Sequence, residues 1–298
     1  MRGEPKHSQA RRKSGASELA AGLYVTATPI GNARDVTLRA LDVLEDADLI
    51  AAEDTRVTAK LLAIFGIAKP LTAYNDHNAS RERPRLLARL KDGARVALVS
   101  DAGTPLVSDP GYKLVREALA AGIPVHAIPG ASAPLAALAL AGLPTDRFFF
   151  AGFLSAKQGE RRHSLQGLKT IRASLIFFEA PQRLGESLKD MAEILGPRPA
   201  AVARELTKLH EEVRRGDLAS LAQAYVDAPP RGEITLVVGP AEEAETDFSR
   251  VDSALDKALA FMPVRAAVDL VAEMLQAPRR EVYTRALARK NDGQDGTP

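Results

Sequence analysis

The sequence predicts an α/β protein: two α/β domains followed by a small helical segment. Three observations lead there. Strand-like and helix-like runs alternate through the first half, the pattern changes after residue 144, and the stretch from 251 on reads as helices alone.

In the first half, apolar and β-branched runs predict strands at 23–29, 48–53, 71–75, 95–101 and 124–130. Between them, residues 36–47, 57–66, 80–92 and 111–122 repeat their apolar side chains at helical spacing. Such alternation makes parallel strands covered on both faces, an open sheet over residues 21–145. A second domain is expected over 146–240, with strands at 148-FFFAGFL-154, 174-SLIFFEA-180, 200–207, 210–218 and 232–240. It also carries a basic helix after 157 and another helix over 182–195. Strands so close in sequence predict antiparallel pairing. The boundary falls in 142-GLPTDR-147, which is rich in turn residues.

Residues 241–250 are acidic and aperiodic, as in a linker. Residues 251–290 predict three short helices, broken near Pro263 and Pro278. They form either a helix-turn-helix module with a basic last helix or a plain helical cap. Residues 1–20, which are basic, and 291–298 read as disordered tails.

The composition is that of a globular protein, 46% apolar and 26% charged over 298 residues. Cysteine is absent, which excludes disulfides and thiolate metal sites and agrees with a cytosolic location. No apolar run approaches the roughly 20 residues that span a bilayer. Arg11-Arg12-Lys13 lacks the apolar segment of a signal peptide behind it. Residues 1–19 are net +3 in a chain of net +2, so total charge does not announce a nucleic-acid partner. Charge is nevertheless segregated: 81–95 and 157–172 are each net +4, whereas 42-DVLEDADLIAAED-54 has six acids and no base.

Three loops rich in small residues leave strand ends, 28-TPIGN-32, 100-SDAGTP-105 and 129-PGASAP-134. Ligands of open α/β sheets bind outside the carboxyl ends of the strands. Gly31 stands alone where a dinucleotide fold would have G-x-G-x-x-G, and no P-loop is present. No His/Asp/Glu group has metal-ligand spacing. What remains is a cleft with backbone donors, a few carboxylates and apolar walls. It suits a nucleoside-like ligand with an amino-acid tail, and S-adenosylmethionine is one such molecule.

Nine segments, in order, carry a resemblance: 27-ATPIGNARDVTLRA-40, 52-AEDTR-56, 74-YNDHN-78, 99-VSDAGTPLVSDPGY-112, 129-PGASA-133, 149-FFAGFL-154, 178-FEAPQR-183, 204-RELTKLHEE-212 and 232-GEITLVVGP-240. From about Leu23 to Pro240 the chain resembles the bacterial 16S rRNA ribose 2′-O-methyltransferases of the tetrapyrrole methylase superfamily. The first loop, Thr28-Pro29-Ile30-Gly31-Asn32, is poorer in glycine than in the tetrapyrrole-modifying members, in keeping with the RNA-modifying branch. The resemblance implies a tetrapyrrole-methylase-like pair of α/β domains with a cleft between them that holds S-adenosyl-L-methionine as donor, and a decoding-centre cytidine of 16S rRNA, in the small ribosomal subunit, as acceptor. It also implies a cytoplasmic homodimer with no membrane association.

By the same resemblance the donor site comprises Pro29, Ile30 and Gly31, then Ser100, Asp101, Ala102, Gly103 and Thr104, then Gly130, Ala131 and Ser132. The second domain would add Phe178, Glu179, Ala180, Leu206 and Ile234. Small side chains at 100–104 would let the donor's methionine part lie against main chain. Asp101 would meet its ammonium group or orient nearby amides, with a turn role as the alternative. Ser108-Asp109 reads as the cap of a helix starting near Pro110.

For a base that takes the hydroxyl proton, the candidates are His77, Asp101, Glu179 and Glu205, with Lys208 beside them to meet phosphate or an acid. RNA contacts are expected from Arg81, Arg83, Arg161, Arg162, Arg183 and Arg204. The segment 157-KQGERRH-163 is either an RNA clamp or a solvated helix start. Two other functions compete: methylation of a tetrapyrrole precursor, and a non-catalytic ribosome- or nucleic-acid-binding factor.

Overall fold

A computed structural model describes residues 19–292 except 110, 227, 242–246 and 276. Most of the expected basic tail, residues 293–298, half of the expected linker and Pro110 therefore lie outside the described residues. One compact unit runs to Ala241 and a second starts at residue 242.

The first unit holds two five-stranded sheets. In the first, β1 (Gly22–Thr26), β2 (Leu49–Ala52), β3 (Leu71–Ala73), β4 (Arg95–Val99) and β5 (Val125–Ile128) lie in the order β3-β2-β4-β1-β5. All pairs are parallel, as the alternation predicts. The crossovers are α1 (Leu38–Asp46), α2 (Thr55–Ile64), α3 (Ala79–Lys91) and α4 (Tyr112–Ala120). Successive side chains of a strand point to opposite faces. Tyr24, Ile50 and Ala97 accordingly pack under α1, while Leu23, Leu49, Val96 and Leu98 pack under α3 and α4. Burial on both sides explains why these strands read as unbroken apolar runs.

The second sheet comprises β6 (Phe148–Phe153), β7 (Ser174–Glu179), β8 (Pro199–Arg204), β9 (Glu212–Asp217) and β10 (Ile234–Val238), ordered β6-β7-β10-β8-β9. Three of its pairs are antiparallel, but β6 and β7 run parallel. The expectation of antiparallel pairing fails there because α6 (Gln158–Leu168) lies between them and supplies the crossover. α7 (Leu184–Leu195) and α8 (Leu218–Val226) cover one face with α6, burying Leu165, Leu188 and Leu221 against Leu175, Phe177 and Leu236. The other face lies under α5 (Ala133–Ala141), whose Ala137, Leu138 and Ala141 meet Ile176, Ala201, Ala203 and Val237. A helix that leaves the first sheet thus completes the core of the second.

In the second unit, α9 (Phe248–Leu259), α10 (Val264–Met274) and α11 (Arg279–Asp292) bury Val251, Leu255, Val268, Val271 and Val282 in a core of their own. Much of the basic charge of α11 is turned inward. Arg285 pairs with Asp252 at 2.8 Å, and Arg289 with Asp256 at 2.7 Å. Among the described residues no helix is long and apolar enough to cross a membrane.

One expected RNA contact is overturned by the packing. Arg161, on α6, is 1% exposed, and its Nε meets Asp190 of α7 at 2.7 Å. It is a core ion pair and cannot reach phosphate. Burial pushes the Asp190 carboxyl up, but hydrogen bonds from Arg161, Arg162 and Gln158 outweigh that and hold it below the usual carboxylate range. Removing one partner of a buried pair strands the other charge, at about 3–5 kcal/mol. Arg161→Ala should therefore lose about 3 kcal/mol or more in urea unfolding, and Arg162→Ala, on the rim, clearly less.

Candidate functional site

The three small-residue loops leave β4, β1 and β5, which are neighbours in the sheet, so all three converge at one place. They bond to one another. Thr28 N–H donates to the Gly103 carbonyl at 2.8 Å, and Gly103 N–H returns a bond to Thr28 at 3.1 Å. The Thr28 hydroxyl donates to the Ser100 carbonyl, and the Thr104 hydroxyl to that of Ala131. The small side chains serve this closure. A Cβ on Gly130 would stand 2.9 Å from that of Ala27, and Gly103 has φ +77° with Ile30 against it. The main chain of Gly103 is thus committed to Thr28 rather than open to a ligand, contrary to expectation.

Gly31 has a different task. A Cβ there would lie 2.5 Å from Lys208 Cγ and 3.0 Å from the Leu206 carbonyl, so glycine admits the turn after β8. That turn holds Glu205 and Thr207 at φ +50° and +65°. Glu205 accepts from Lys208 Nζ at 2.8 Å and from Glu233 N–H at 2.9 Å, and the Thr207 hydroxyl accepts from Asn32 N–H. Burial opposes the Lys208 charge, but Glu205 and Glu233 outweigh it and raise its pKa. Glu205 is lowered in turn, first by Lys208.

Between the sheets lies a cleft of about 410 Å³. Ten of the sixteen expected donor-site residues line it: Ile30, Asp101, Ala102, Gly103, Thr104, Ser132, Phe178, Glu179, Ala180 and Ile234. Pro29, Gly31 and Ser100 line an adjoining cavity of about 280 Å³ instead, together with Lys208. Gly130, Ala131 and Leu206 line neither cavity. Leu206 is 6% exposed and belongs to the core under α5, so its expected contact with a ligand is corrected to a supporting role.

Sequence reasoning missed two carboxylates of the cleft, Glu53 and Asp109. Glu53 follows β2 within 52-AEDTR-56, and its strand-end position was the available signal. Asp109 was misread as a cap. α4 starts at Tyr112 with Gly111 as N-cap and no side-chain bond, while Asp109 lines the cleft. Leu106 and Ser108, with φ +75° and +66°, bend the segment that carries it. Burial, then the nearby Glu53 charge, push Asp109 up to about 6 against a hydrogen bond from Ser100. Burial likewise raises Glu53, against a bond from Asp101 N–H, with the charges of Asp101, Asp76 and Asp54 adding to the rise. Asp101 stands at the rim, raised by what burial it has and by the Asp54 charge, against a bond from Asp54 N–H.

Two base candidates lose their place. Glu179 is 3% exposed, and its oxygens accept from Ala180 N–H, from two nitrogens of Arg183 and from the Ser187 hydroxyl. Those bonds fill the roughly four acceptor positions of a carboxylate. His77 lines a separate cavity with Asp54, Asn75 and Asp76 and does not line the cleft. Of the arginines, Arg81 meets Glu82, Arg83 meets Glu117, Arg162 meets Asp190 and Glu193, Arg183 meets Glu179, and Arg204 meets Glu212. Arg81 is the most open of these, with its side chain 70% exposed.

The model of the family described as Tetrapyrrole (Corrin/Porphyrin) Methylases matches residues 22–222, and that of the RsmI C-terminal HTH domain matches 245–290. A protein of Mesorhizobium japonicum named Ribosomal RNA small subunit methyltransferase I is 51% identical over 283 residues, 94% of this chain and 96% of its own length. Its namesake in Pseudomonas aeruginosa is 46% identical over 90% of this chain and 97% of its own. Among solved structures, uroporphyrin-III-C-methyltransferase from Thermus thermophilus superposes with a TM-score of 0.54 at 25% identity, covering 74% of this chain and 94% of that one. Two parallel-and-mixed sheets around a carboxylate-lined cleft, and relatives this similar along nearly their whole length, place the chain in the tetrapyrrole methylase family.

Proposed function

We propose that this chain moves the methyl group of S-adenosylmethionine to the ribose 2′-hydroxyl of a decoding-centre cytidine in 16S rRNA. The single observation that carries the donor assignment is the gathering of ten expected donor residues, from both sheets, in one cleft. The chemistry of the cleft suits that donor. Phe178 and Ile234 offer apolar walls to a purine, and Glu53 and Asp109 have no cation beside them in the cleft lining. A sulfonium and an ammonium group supply that charge. The rRNA acceptor is favoured over a tetrapyrrole because the relatives at 46–51% identity are named for ribosomal RNA. Ribosomal subunits place the work in the cytoplasm.

When bound, the donor supplies an electrophilic methyl carbon, whose bond to sulfur breaks as the bond to O2′ forms. The protein holds the two reactants in line and receives the proton. With Glu179 saturated and His77 away from the cleft, Asp101 is the base: it lines both the donor cleft and the adjoining cavity, and Glu233, which also does, is paired with Lys208. Arg81 and Arg162, at the surface, meet RNA phosphates by exchanging their present carboxylate partners.

The chain also pairs with a second copy of itself. β6 is an edge strand, and Phe148, Phe149 and Phe153 on it are 47%, 43% and 59% exposed, with Leu135 of nearby α5 at 52%. An aromatic edge of this kind is a template for association.

Three measurements check these statements. Labelled methyl should enter undermethylated small subunits at a mapped cytidine, and Asp101→Asn should slow that step by about 10²–10⁴-fold without abolishing it. Donor affinity should rise from pH 5 to 7, because a cation prefers the ionised Asp109, whose group titrates at about 6. Calorimetry in two buffers should show proton release near pH 6 on binding, and Asp109→Asn should remove it. In light scattering the chain should have the mass of a dimer, and Phe148→Glu with Phe149→Glu should give a monomer.

A further inference from the structure

The crossover helices α3 and α4 lie side by side on one face of the first sheet, where Leu86 and Leu90 share a core with Leu114 and Ala118. At the surface Arg83 of α3 and Glu117 of α4 form an ion pair at 2.8 Å. The two helices together hold seven basic residues and two acids. A second copy of the chain docked on their outer side would set like charge against like charge, at a cost in affinity. A polyanion fits.

The basic charge is arranged in a file. Arg81, Arg85 and Arg89 recur every fourth residue of α3, and all three are exposed. At a rise of about 1.5 Å per residue, neighbours in the file stand about 6 Å apart along the axis. That step is comparable to the one between successive phosphates of a strand. Glu82, its side chain only 12% exposed, accepts from Arg81 Nε at 2.8 Å and from Arg85 at 3.1 Å. One anchored carboxylate thus steadies two guanidinium groups that keep further N–H groups for solvent. Arg89 has no ion pair among the described residues. On α4, Tyr112 exposes 65% of its surface, and the Arg116 guanidinium lies 5.7 Å from its ring centroid. An aromatic face beside cations is a sequence-tolerant seat for an unstacked base. Both helices start at the carboxyl edge of the sheet. α3 follows the turn after β3, and Tyr112 stands three residues beyond Asp109 of the donor cleft.

We infer that the outer face of α3 and α4 docks the 16S rRNA strand flanking the acceptor, with phosphates on Arg81, Arg85 and Arg89 and a base on Tyr112. The inference rests on the proposed methyl transfer to rRNA, and it adds Arg85, Arg89 and Tyr112 to the residues that hold that RNA. The file runs along α3 from the carboxyl edge of the sheet, so a strand on it leads toward the donor cleft. Phosphate contacts supply affinity and fix register, and the stacked base orients the strand.

Arg85→Ala with Arg89→Ala, Tyr112→Ala and Tyr112→Phe in the full chain test this, beside Lys189→Ala, which removes an exposed cation of α7. Initial rates of methyl transfer are taken over a range of undermethylated small subunits and of salt. Donor affinity is read by calorimetry and the unfolding midpoint by a thermal scan. The arginine pair should raise KM about tenfold with kcat held within about twofold. It should also flatten the slope of log kcat/KM against log salt by about 1.4, the share of two phosphate contacts on a single strand. Tyr112→Ala should lower kcat/KM about tenfold, and Tyr112→Phe less than about threefold. Donor affinity and unfolding midpoints should stay at the parent's values throughout, as should the kinetics of Lys189→Ala. A photo-cross-linking residue at position 85 should attach to 16S rRNA. Unchanged KM and salt slope in the arginine pair overturn the inference, as does a Tyr112→Ala protein with the parent's kcat/KM or a Lys189→Ala protein that loses as much as the pair. Cross-links to ribosomal protein alone, or none, overturn it too. In each case the parent chain's own transfer leaves the methyltransferase assignment standing. A parent chain that binds no donor and methylates no subunit removes both.

Discussion

The cleft exists because backbone closes on backbone at the strand ends. Thr28 and Gly103 exchange two main-chain bonds across loops that leave adjacent strands, and Gly130 lets the third loop pack on Ala27. Gly31 then brings the first loop against the turn at 205–208, where the Thr207 hydroxyl, accepting from Asn32 N–H, fastens it to the second sheet's side. Each contact needs a side chain of nearly zero size. A methyl group at Gly31 or Gly130 would push apart the elements that define the walls, and interiors packed at crystal density do not absorb such shifts cheaply. The loops are poor in side chains so that their positions are rigid.

Rigidity there permits an unfavourable charge distribution. Glu53, Asp101 and Asp109 collect around one opening, and burial together with repulsion from neighbouring acids raises all three above their ordinary range. Asp109 reaches the cleft on a segment with two non-glycine residues in the left-handed region, a conformation that costs roughly 1–3 kcal/mol per residue. The electrostatic cost falls on the free protein and diminishes when a cation enters. An unfolded Asp109 would titrate near 4, so the folded state is penalised progressively as pH rises from there through about 6. A cationic ligand lowers that carboxyl again and recovers the difference. Like charge is thus tolerated where binding relieves it.

The sequence made the first sheet legible because parallel strands buried on both faces leave an unambiguous trace of apolar runs between amphipathic helices. The second sheet was only partly legible. The parallel pairing of β6 with β7 depends on α6 acting as a crossover, and α8 was overlooked although Leu218, Leu221, Ala222 and Tyr225 recur at helical spacing. Ten of the sixteen residues expected at the donor site from family motifs line the cleft. Its missing members, Glu53 and Asp109, are acids whose roles depend on where a loop points, which local spacing does not encode. Arg161 illustrates the same gap from the other side. In a run of basic residues it looks identical to Arg162, yet one lies 1% exposed against Asp190 while the other reaches the rim. Linear charge density cannot separate a core ion pair from a surface one.

These corrections bear on how the rate is produced. Positioning two reactants is worth about 7–11 kcal/mol, whereas a general base contributes about 10²–10⁴-fold, or roughly 3–5 kcal/mol. Methyl transfer from a sulfonium disperses charge, so it asks little of an oxyanion site beyond help with the departing proton. A protein meeting those demands should invest in fixed walls and need only one open carboxylate. Among the acids weighed as bases, the observed arrangement has that form. Glu179 and Glu205, both once eligible as bases, are consumed in holding Arg183, Ser187, Lys208 and the Glu233 backbone, which set the second-sheet side of the cleft. Asp101 is left at the rim, bonded through one oxygen to Asp54 N–H, where a hydroxyl can approach it. The acids that sequence alone ranked as equals have divided into those that build the site and one that is free to act in it.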